Sequence, residues 1–302
     1  SERWMPMRNQ NDRLWTIGRI LKWTEGYFTE KGLESPRLDA EVLLSHVLKK
    51  QRIYLYVHFD EPLQPEELAA YREMVKKRVM HVPVAYILGE REFMGLTFKV
   101  TEDTLIPRPD TEILVQAAVD RLKAWRAPED TGLRFADIGT GTGAVCLSVL
   151  HYLPQAVAET VDISPAARAV AEENAEQLGL KGRITFHTGD LLTPLEGQTF
   201  AAILSNPPYI PEADIEALAP EVRTKEPHTA LSGGKDGLDF YRRLMAEAPA
   251  MLEPNGFLAF EVGIHQAQDV AALAKANPLL GKTEILPDYA GIDRVVVAWK
   301  KG

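Results

Sequence analysis

The sequence predicts an α/β protein, a doubly wound and mostly parallel sheet preceded by a small helical bundle. Three observations carry this. From about residue 113, short apolar runs alternate with helical stripes to the end, the pattern of a parallel sheet covered by helices on both faces. The first run leads into Asp137-Ile-Gly-Thr-Gly-Thr-Gly143, where alternate glycines let the backbone turn tightly beside a ligand. The fourth, Phe200-Ala-Ala-Ile-Leu-Ser205, is stopped by Asn206-Pro-Pro-Tyr209, which reads as a buried strand ending abruptly.

The elements follow in order. Residues from about 12 to 88 have helical periodicity and no convincing alternation. Ser35-Pro36 is a helix start, an N-cap with proline in the first turn. Leu38, Val42, Leu43, Val47 and Leu48 then recur at helical spacing. Pro65-Glu66-Glu67 opens another helix with acids at its positive end, and Leu68, Tyr71, Met74, Val75 and Val79 form its apolar stripe. Arg91 to Val100 alternates enough for a strand or hairpin. Thr104 to Glu112 is a proline-stiffened loop, and Ile113 to Trp125 reads as a helix. Strands are expected at Leu133–Asp137, Val157–Asp162, Arg183–His187, Phe200–Ser205, Gly256–Glu261, Lys282–Leu286 and Arg294–Trp299. Helices between them include Pro165–Leu178, Gly237–Leu252 and His265–Asn277. The link from Pro287 to Asp293 is too short for a crossover helix, so the last strand should be antiparallel. The expected division is a helical domain at 1–88, a hairpin and linker at 89–112, and a sheet domain at 113–302.

Composition narrows the classes. Hydrophobic content of 45% and charged content of 25% are ordinary globular values. No apolar stretch approaches a membrane span, and Ser1 to Arg8 lacks the apolar core of a signal peptide. One cysteine, Cys146, excludes an internal disulfide and fits a reducing compartment. The expectation is a soluble, cytoplasmic protein with no membrane partner. Residues 1–100 carry 16 Lys+Arg against 14 Asp+Glu, whereas residues 101–302 carry 18 against 29. That acidic half is a poor match for a phosphate backbone and argues against direct nucleic-acid binding. The seven histidines have no metal-ligand spacing, so no metal site is expected. Cys146 reads as a small packing residue.

The candidate site lies at the strand ends. The glycine bend, Gly139, Thr140, Gly141, Thr142 and Gly143, precedes a helix start with free N–H groups. Asp162 closes the second strand, where a carboxylate can accept from two ribose hydroxyls. That arrangement suits either NAD or S-adenosyl-L-methionine. Three features favour the latter. Asp137 can reach an amino group, Asp190 can accept from an adenine amine with Leu191 packed on the ring, and Asn206-Pro-Pro-Tyr209 ends the fourth strand. With strand order 3-2-1-4-5 the bend and Asn206 face one crevice. There Asn206 Oδ1 and the Pro207 carbonyl would hold a planar NH2 group under Tyr209, so that its nitrogen can be alkylated. Asn206, Pro207 and Tyr209 are the expected catalytic residues, and Pro208 completes the substrate grip. No strong general base is expected, the proton leaving after transfer.

These residues resemble the release-factor glutamine N5-methyltransferases. The likeness rests on Leu105-Ile-Pro-Arg-Pro-Asp-Thr-Glu112, Asp137-Ile-Gly-Thr-Gly-Thr-Gly-Ala144, Val161-Asp-Ile-Ser164, Ser205-Asn-Pro-Pro-Tyr-Ile210 and Glu226-Pro-His-Thr-Ala-Leu-Ser-Gly-Gly-Lys-Asp-Gly-Leu238. It covers the chain from about residue 12 to the end. The resemblance implies a Rossmann-like methyltransferase domain using S-adenosyl-L-methionine and releasing S-adenosyl-L-homocysteine. It implies transfer to the glutamine of the Gly-Gly-Gln loop of class 1 peptide chain release factors, with the helical domain recognising that protein. By the same likeness Gly139 to Gly143, Asp162, Leu191 and Asn206 would touch the cofactor, and Asn206 to Tyr209 the glutamine. Two rivals share parts of the pattern. An adenine N6-methyltransferase of DNA or RNA also carries Asn-Pro-Pro-Tyr, and an NAD-dependent oxidoreductase would use Gly139, Gly141 and Ala144.

Overall fold

The computed structural model describes residues 14–125 and 132–302, so the first 13 residues of the expected helical domain lie outside the described residues. The chain divides into two units, Ser1–Gly89 and Glu90–Gly302. Residues 90–112 open the second unit.

Among its described residues the first unit holds five helices, α1 (Ile17–Glu30), α2 (Pro36–Leu48), α3 (Arg52–Val57), α4 (Pro65–Val79) and α5 (Val84–Leu88). Thr16 Oγ1 accepts from Arg19 N at the start of α1, and Glu67 Oε1 from Gln64 N at the start of α4. Both satisfy backbone donors that a first turn leaves open. Ile20, Leu21, Phe28, Leu43, Leu44, Tyr71 and Val75 form the core. Each such side chain contributes about 1.5–3 kcal/mol on burial.

The expected stripe of α2 is partly wrong. Leu38 faces out at 44% exposure, and Ser35 makes no side-chain cap. The inward face instead carries two acids. Asp39 accepts from Arg78 Nε at 2.9 Å. Glu41 gathers Arg37 Nε at 2.7 Å, Arg52 Nη2 at 3.0 Å and the Tyr56 hydroxyl at 2.6 Å. Burial opposes the Glu41 charge, yet these bonds hold its carboxyl below the usual range. A hydropathy count cannot see a face built on paired charges.

The second unit opens with a hairpin, β1 (Glu90–Phe93) and β2 (Leu96–Lys99). Met94 and Gly95 turn it with φ of 52° and 74°. The alternating pattern thus resolves into two strands. After α6 (Glu112–Ala124) come β3 (Leu133–Ile138), α7 (Ala144–Tyr152), β4 (Ala156–Asp162), α8 (Pro165–Gln177), β5 (Ile184–Thr188) and β6 (Phe200–Ser205). The chain continues through α9 (Pro220–Lys225), α10 (Asp239–Glu247), β7 (Leu252–Glu261), α11 (Ala267–Ala276), β8 (Leu280–Pro287) and β9 (Asp293–Lys300).

These strands form one seven-stranded sheet in the order β5-β4-β3-β6-β7-β9-β8. β9 is antiparallel to both its neighbours and slots between β7 and β8, as the short link before it requires. The two faces of the sheet carry separate cores, one with α6, α7 and the hairpin aromatics Phe93 and Phe98, the other with α10 and α11. The helix expected at Gly237–Leu252 is shorter. It stops at Glu247, a 3₁₀ turn containing Pro249 follows, and Leu252 already belongs to β7. Proline removes the donor that would continue the helix.

Asn174 on α8 joins three parts of this unit. Its Oδ1 accepts from Lys99 N at 2.7 Å, and its Nδ2 reaches Lys99 O at 3.1 Å and Thr142 O at 2.8 Å.

Candidate active site

The glycine bend is a backbone feature closed by its neighbours. Gly139, Gly141 and Gly143 have φ of 87°, 54° and 86°, where a Cβ is strained. Gly139 N and Thr140 N both donate to Val161 O, and Gly141 N donates to Asp162 Oδ2 at 2.9 Å. Asp162 Oδ1 accepts from Ser164 N at 2.9 Å, leaving each oxygen a lone pair for a ligand hydroxyl. Burial raises the Asp162 pKa, and these two amides offset only part of it.

Thr140 and Thr142 turn their side chains inward. Both are buried; Thr140 Oγ1 lies 2.6 Å from Thr160 Oγ1, and Thr142 Oγ1 accepts from Ala144 N. Their hydroxyls stitch the bend together, so only backbone remains for a ligand.

Asp137 is the most unusual group. It is 1% exposed, and neither carboxylate oxygen has a hydrogen-bond partner. Burial pushes its carboxyl up to about 8. The neighbouring Cys146 thiol and backbone N–H lower it in part without reaching hydrogen-bond geometry, and Asp162 adds repulsion. Cys146 is itself buried, and its thiol donates to Gly143 O at 3.5 Å, consistent with a packing role. A buried, unpartnered carboxylate is costly unless a cation completes it.

Asn206 stands beside the bend. Ile138 pairs with Ser205 across β3 and β6, and Ser205 Oγ donates to Ile138 O at 2.6 Å. A Cβ built on Gly139 would lie 3.9 Å from Asn206 O. The glycine bend and the end of β6 are therefore adjacent, as the strand order requires. Asn206 Oδ1 is buried and has no partner.

Tyr209 is fixed through its backbone. Its carbonyl accepts from Gln266 Nε2 at 2.8 Å, and Gln266 Oε1 accepts from Gly263 N at 2.9 Å. Ile210 N and O bond Leu231 O and Gly233 N, which anchors the chain after the two prolines. The ring rests on Gly263, where an added Cβ would come within 2.8 Å of Cδ2. We expect Gly263→Ala to push the ring out of place and lower kcat about tenfold, at a stability cost of about 1–3 kcal/mol. Kinetics beside thermal unfolding would check both.

The adenine side is less open than expected. Asp190 is held by Arg243 of α10 through bonds of 3.1 and 2.5 Å, which also keep its carboxyl below the usual range. An adenine amine would share that carboxylate with a guanidinium. Leu191 adopts φ of 50° and packs against the core under β3 and β6, so its backbone is set in an uncommon conformation beside the crevice.

Two groups were missed from sequence. Glu261 ends β7, is 4% exposed and has Oε1 unpartnered. Burial pushes it up to about 7; Thr111 and Arg294 pull down and Asp110 pushes up. Its only signal was an acid closing an apolar run. Glu226 is also buried. It accepts from Ile106 N at 3.1 Å and from both Nη atoms of Arg108, which ties the proline loop to the segment after β6. Two separate motifs of the sequence thus prove to be two halves of one ion pair.

The sheet order, the glycine bend and the carboxylates at the strand ends together define a Rossmann-like methyltransferase domain. A methyltransferase from Pyrococcus furiosus has this fold, with a TM-score of 0.50 at 18% identity, over 69% of this chain and 90% of that one. Residues 19–89 match the family model for the PrmC N-terminal domain, and residues 115–234 that for the methyltransferase small domain. The chain is 47% identical to the release factor glutamine methyltransferase of Geobacter sulfurreducens, over 95% of this chain and 98% of that protein. It is 45% identical to the one from Moorella thermoacetica, over 89% and 93%. The chain belongs to the release factor glutamine methyltransferase family.

Proposed function

We propose that this protein transfers a methyl group from S-adenosyl-L-methionine to the side-chain amide nitrogen of the glutamine in the Gly-Gly-Gln motif of class 1 peptide chain release factors. The observation that supports the reading is the presence of two buried, unsatisfied acceptors at the ends of the neighbouring strands β3 and β6. Asp137 lacks a cation and Asn206 Oδ1 lacks a donor. An amino-acid-bearing sulfonium and a carboxamide NH2 supply one each.

The residues fit that cofactor. Asp137 would take its amino group, Asp162 its ribose hydroxyls, and the backbone of Gly139 to Gly143 would pass close beneath. Leu191 would cover the base, with Asp190 at its amine edge. The bound sulfonium supplies an electrophilic methyl with its own leaving group.

The chain then has to hold a weak nucleophile still. Asn206 Oδ1 and the Pro207 carbonyl accept from the NH2 group, while Pro208 stiffens the corner and Tyr209 covers the amide plane. Fixed acceptors pointed at a nitrogen that gains positive charge favour the transition state over the ground state. Alignment adds a further entropic advantage. Burial and the charge of Glu261 push the Tyr209 phenol up to about 12, so it stays neutral and serves as a surface, not an acid.

The helical unit is proposed to engage the release factor, and the protein to work in the cytoplasm without direct nucleic-acid contact. Among the described residues no helix is long and apolar enough to cross a membrane. Incubating the chain and cofactor with a purified class 1 release factor should add one methyl to the Gly-Gly-Gln glutamine by peptide mass spectrometry. Duplex DNA in the same assay should stay unmodified. Methyl transfer to adenine without transfer to glutamine would overturn the reading.

A further inference from the structure

Among the described residues, the buried carboxylate and carboxamide oxygens without a partner belong to Asp137, Asn206 and Glu261. The first two are absorbed by the proposed reaction; the third is not. Ser205 pairs with Phe260 at the end of the β6–β7 register, and Asn206 and Glu261 are the next residues of the two chains. Neighbouring strands lie about 4.8 Å apart. Ala202 and Leu204 share a core with Phe257 and Ala259, and alternation then sends the Asn206 and Glu261 side chains out on that same face. Glutamate is longer than asparagine by one methylene, which gives its carboxylate the reach that a role beside Asn206 requires.

We propose that Glu261 is a further catalytic residue, whose carboxylate offsets the charge developing on the acceptor nitrogen and receives its proton. This rests on the proposed methyl transfer to a side-chain amide. The nitrogen lone pair forms the new N–C bond, and the electron pair of the broken C–S bond stays with sulfur. Positive charge thereby moves to nitrogen. One N–H proton passes to Glu261, and its bonding pair restores the neutral N-methyl amide. The protonated Glu261 returns its proton to water once the product has left.

The surroundings suit this role. Glu261 is faced by Tyr209 from the corner, by Arg108, Asp110 and Thr111 from the loop before α6, and by Arg294 from β9. Tyr241 of α10 donates to the Glu261 carbonyl at 2.5 Å and fixes its backbone. Arg294 is itself shared with Asp288 at 3.0 Å and Asp110 at 3.4 Å, and Arg108 with Glu226. Both cations are thus engaged by other acids. The Glu261 carboxyl, pushed up to about 7, is poised to take and return a proton near neutrality.

The test compares wild type, Glu261→Gln and Glu261→Asp on a purified class 1 release factor. Glutamine keeps an acceptor but not basicity. We expect E261Q to lose about 100-fold in kcat, with KM and calorimetric cofactor affinity within about threefold. The wild-type rise in kcat through about pH 7 should vanish in E261Q and return in part in E261D. A carboxyl infrared band should titrate near pH 7 in wild type without cofactor and be missing in E261Q. An E261Q kcat within about threefold of wild type, an unchanged pH profile, or no titrating band near 7 would overturn the proposal. Loss of cofactor binding in both variants would reduce Glu261 to a structural residue. Failure of wild type itself to methylate the release factor, with the band intact, would instead count against the proposed function.

Discussion

Asn206→Ala is expected to lower kcat about 100- to 1000-fold while cofactor affinity changes no more than about threefold. Removing one preorganised group from a site where charge develops costs about 2.7–4 kcal/mol. Asn206 Oδ1 is buried and makes no bond within the protein, so little of its energy is invested in the fold. Ser205, not Asn206, clips β6 to β3 through its hydroxyl. The variant should therefore fold normally, with an unfolding midpoint near that of wild type. Steady-state kinetics with calorimetry separates the outcomes. Equal losses in turnover and in cofactor affinity would show that Asn206 serves the cofactor and not the acceptor.

Asp137→Asn should trade function for stability. The Asp137 carboxyl is pushed up to about 8 in the folded protein, against about 3.9 in an unfolded chain. Between those values the native state binds the extra proton, so this contribution is full below about pH 4 and is lost as pH rises through 8. Glu261, pushed up to about 7, acts in the same direction over a slightly lower window. A neutral carboxamide in place of the Asp137 carboxyl escapes the loss at the first position. The variant should unfold at a higher temperature than wild type at pH 8, by about 3 °C or more, with the gap closing toward pH 5. It should also bind cofactor about 10- to 150-fold more weakly, since a charged hydrogen bond of about 1.5–3 kcal/mol is gone. In wild type, a bound ammonium would require the ionised carboxylate. Cofactor affinity should then increase from pH 6 to 8, with proton release seen in buffers of different ionisation enthalpy.

Much of the fold was legible because it is written in local patterns. The strand ends from β3 to β6 follow from apolar runs closed by glycine or proline, and the reversed β9 follows from a link too short to cross the sheet. The closeness of the glycine bend to the end of β6 followed from strand order alone. What was hidden depends on distant partners. Leu38 satisfies the periodicity of α2, yet it faces solvent because Glu41 meets Arg52 and Tyr56 from the next helix. Asp190 sits where an adenine acceptor should, but its pairing with Arg243 joins positions 53 residues apart. The inward turn of Thr140 and Thr142 is a matter of a few dihedrals that no spacing encodes. Glu261 is one acid among many in the sequence. Only its burial and its register beside Asn206 set it apart.

The three bonds of Asn174 make a lever of one carboxamide. By clasping both backbone groups of Lys99 and the Thr142 carbonyl, it couples the end of the hairpin to the backbone that would underlie the nucleoside. Slack introduced at one of these places becomes slack at the other. The hairpin therefore belongs to the ligand cradle mechanically, although none of its own side chains needs to touch what is bound there.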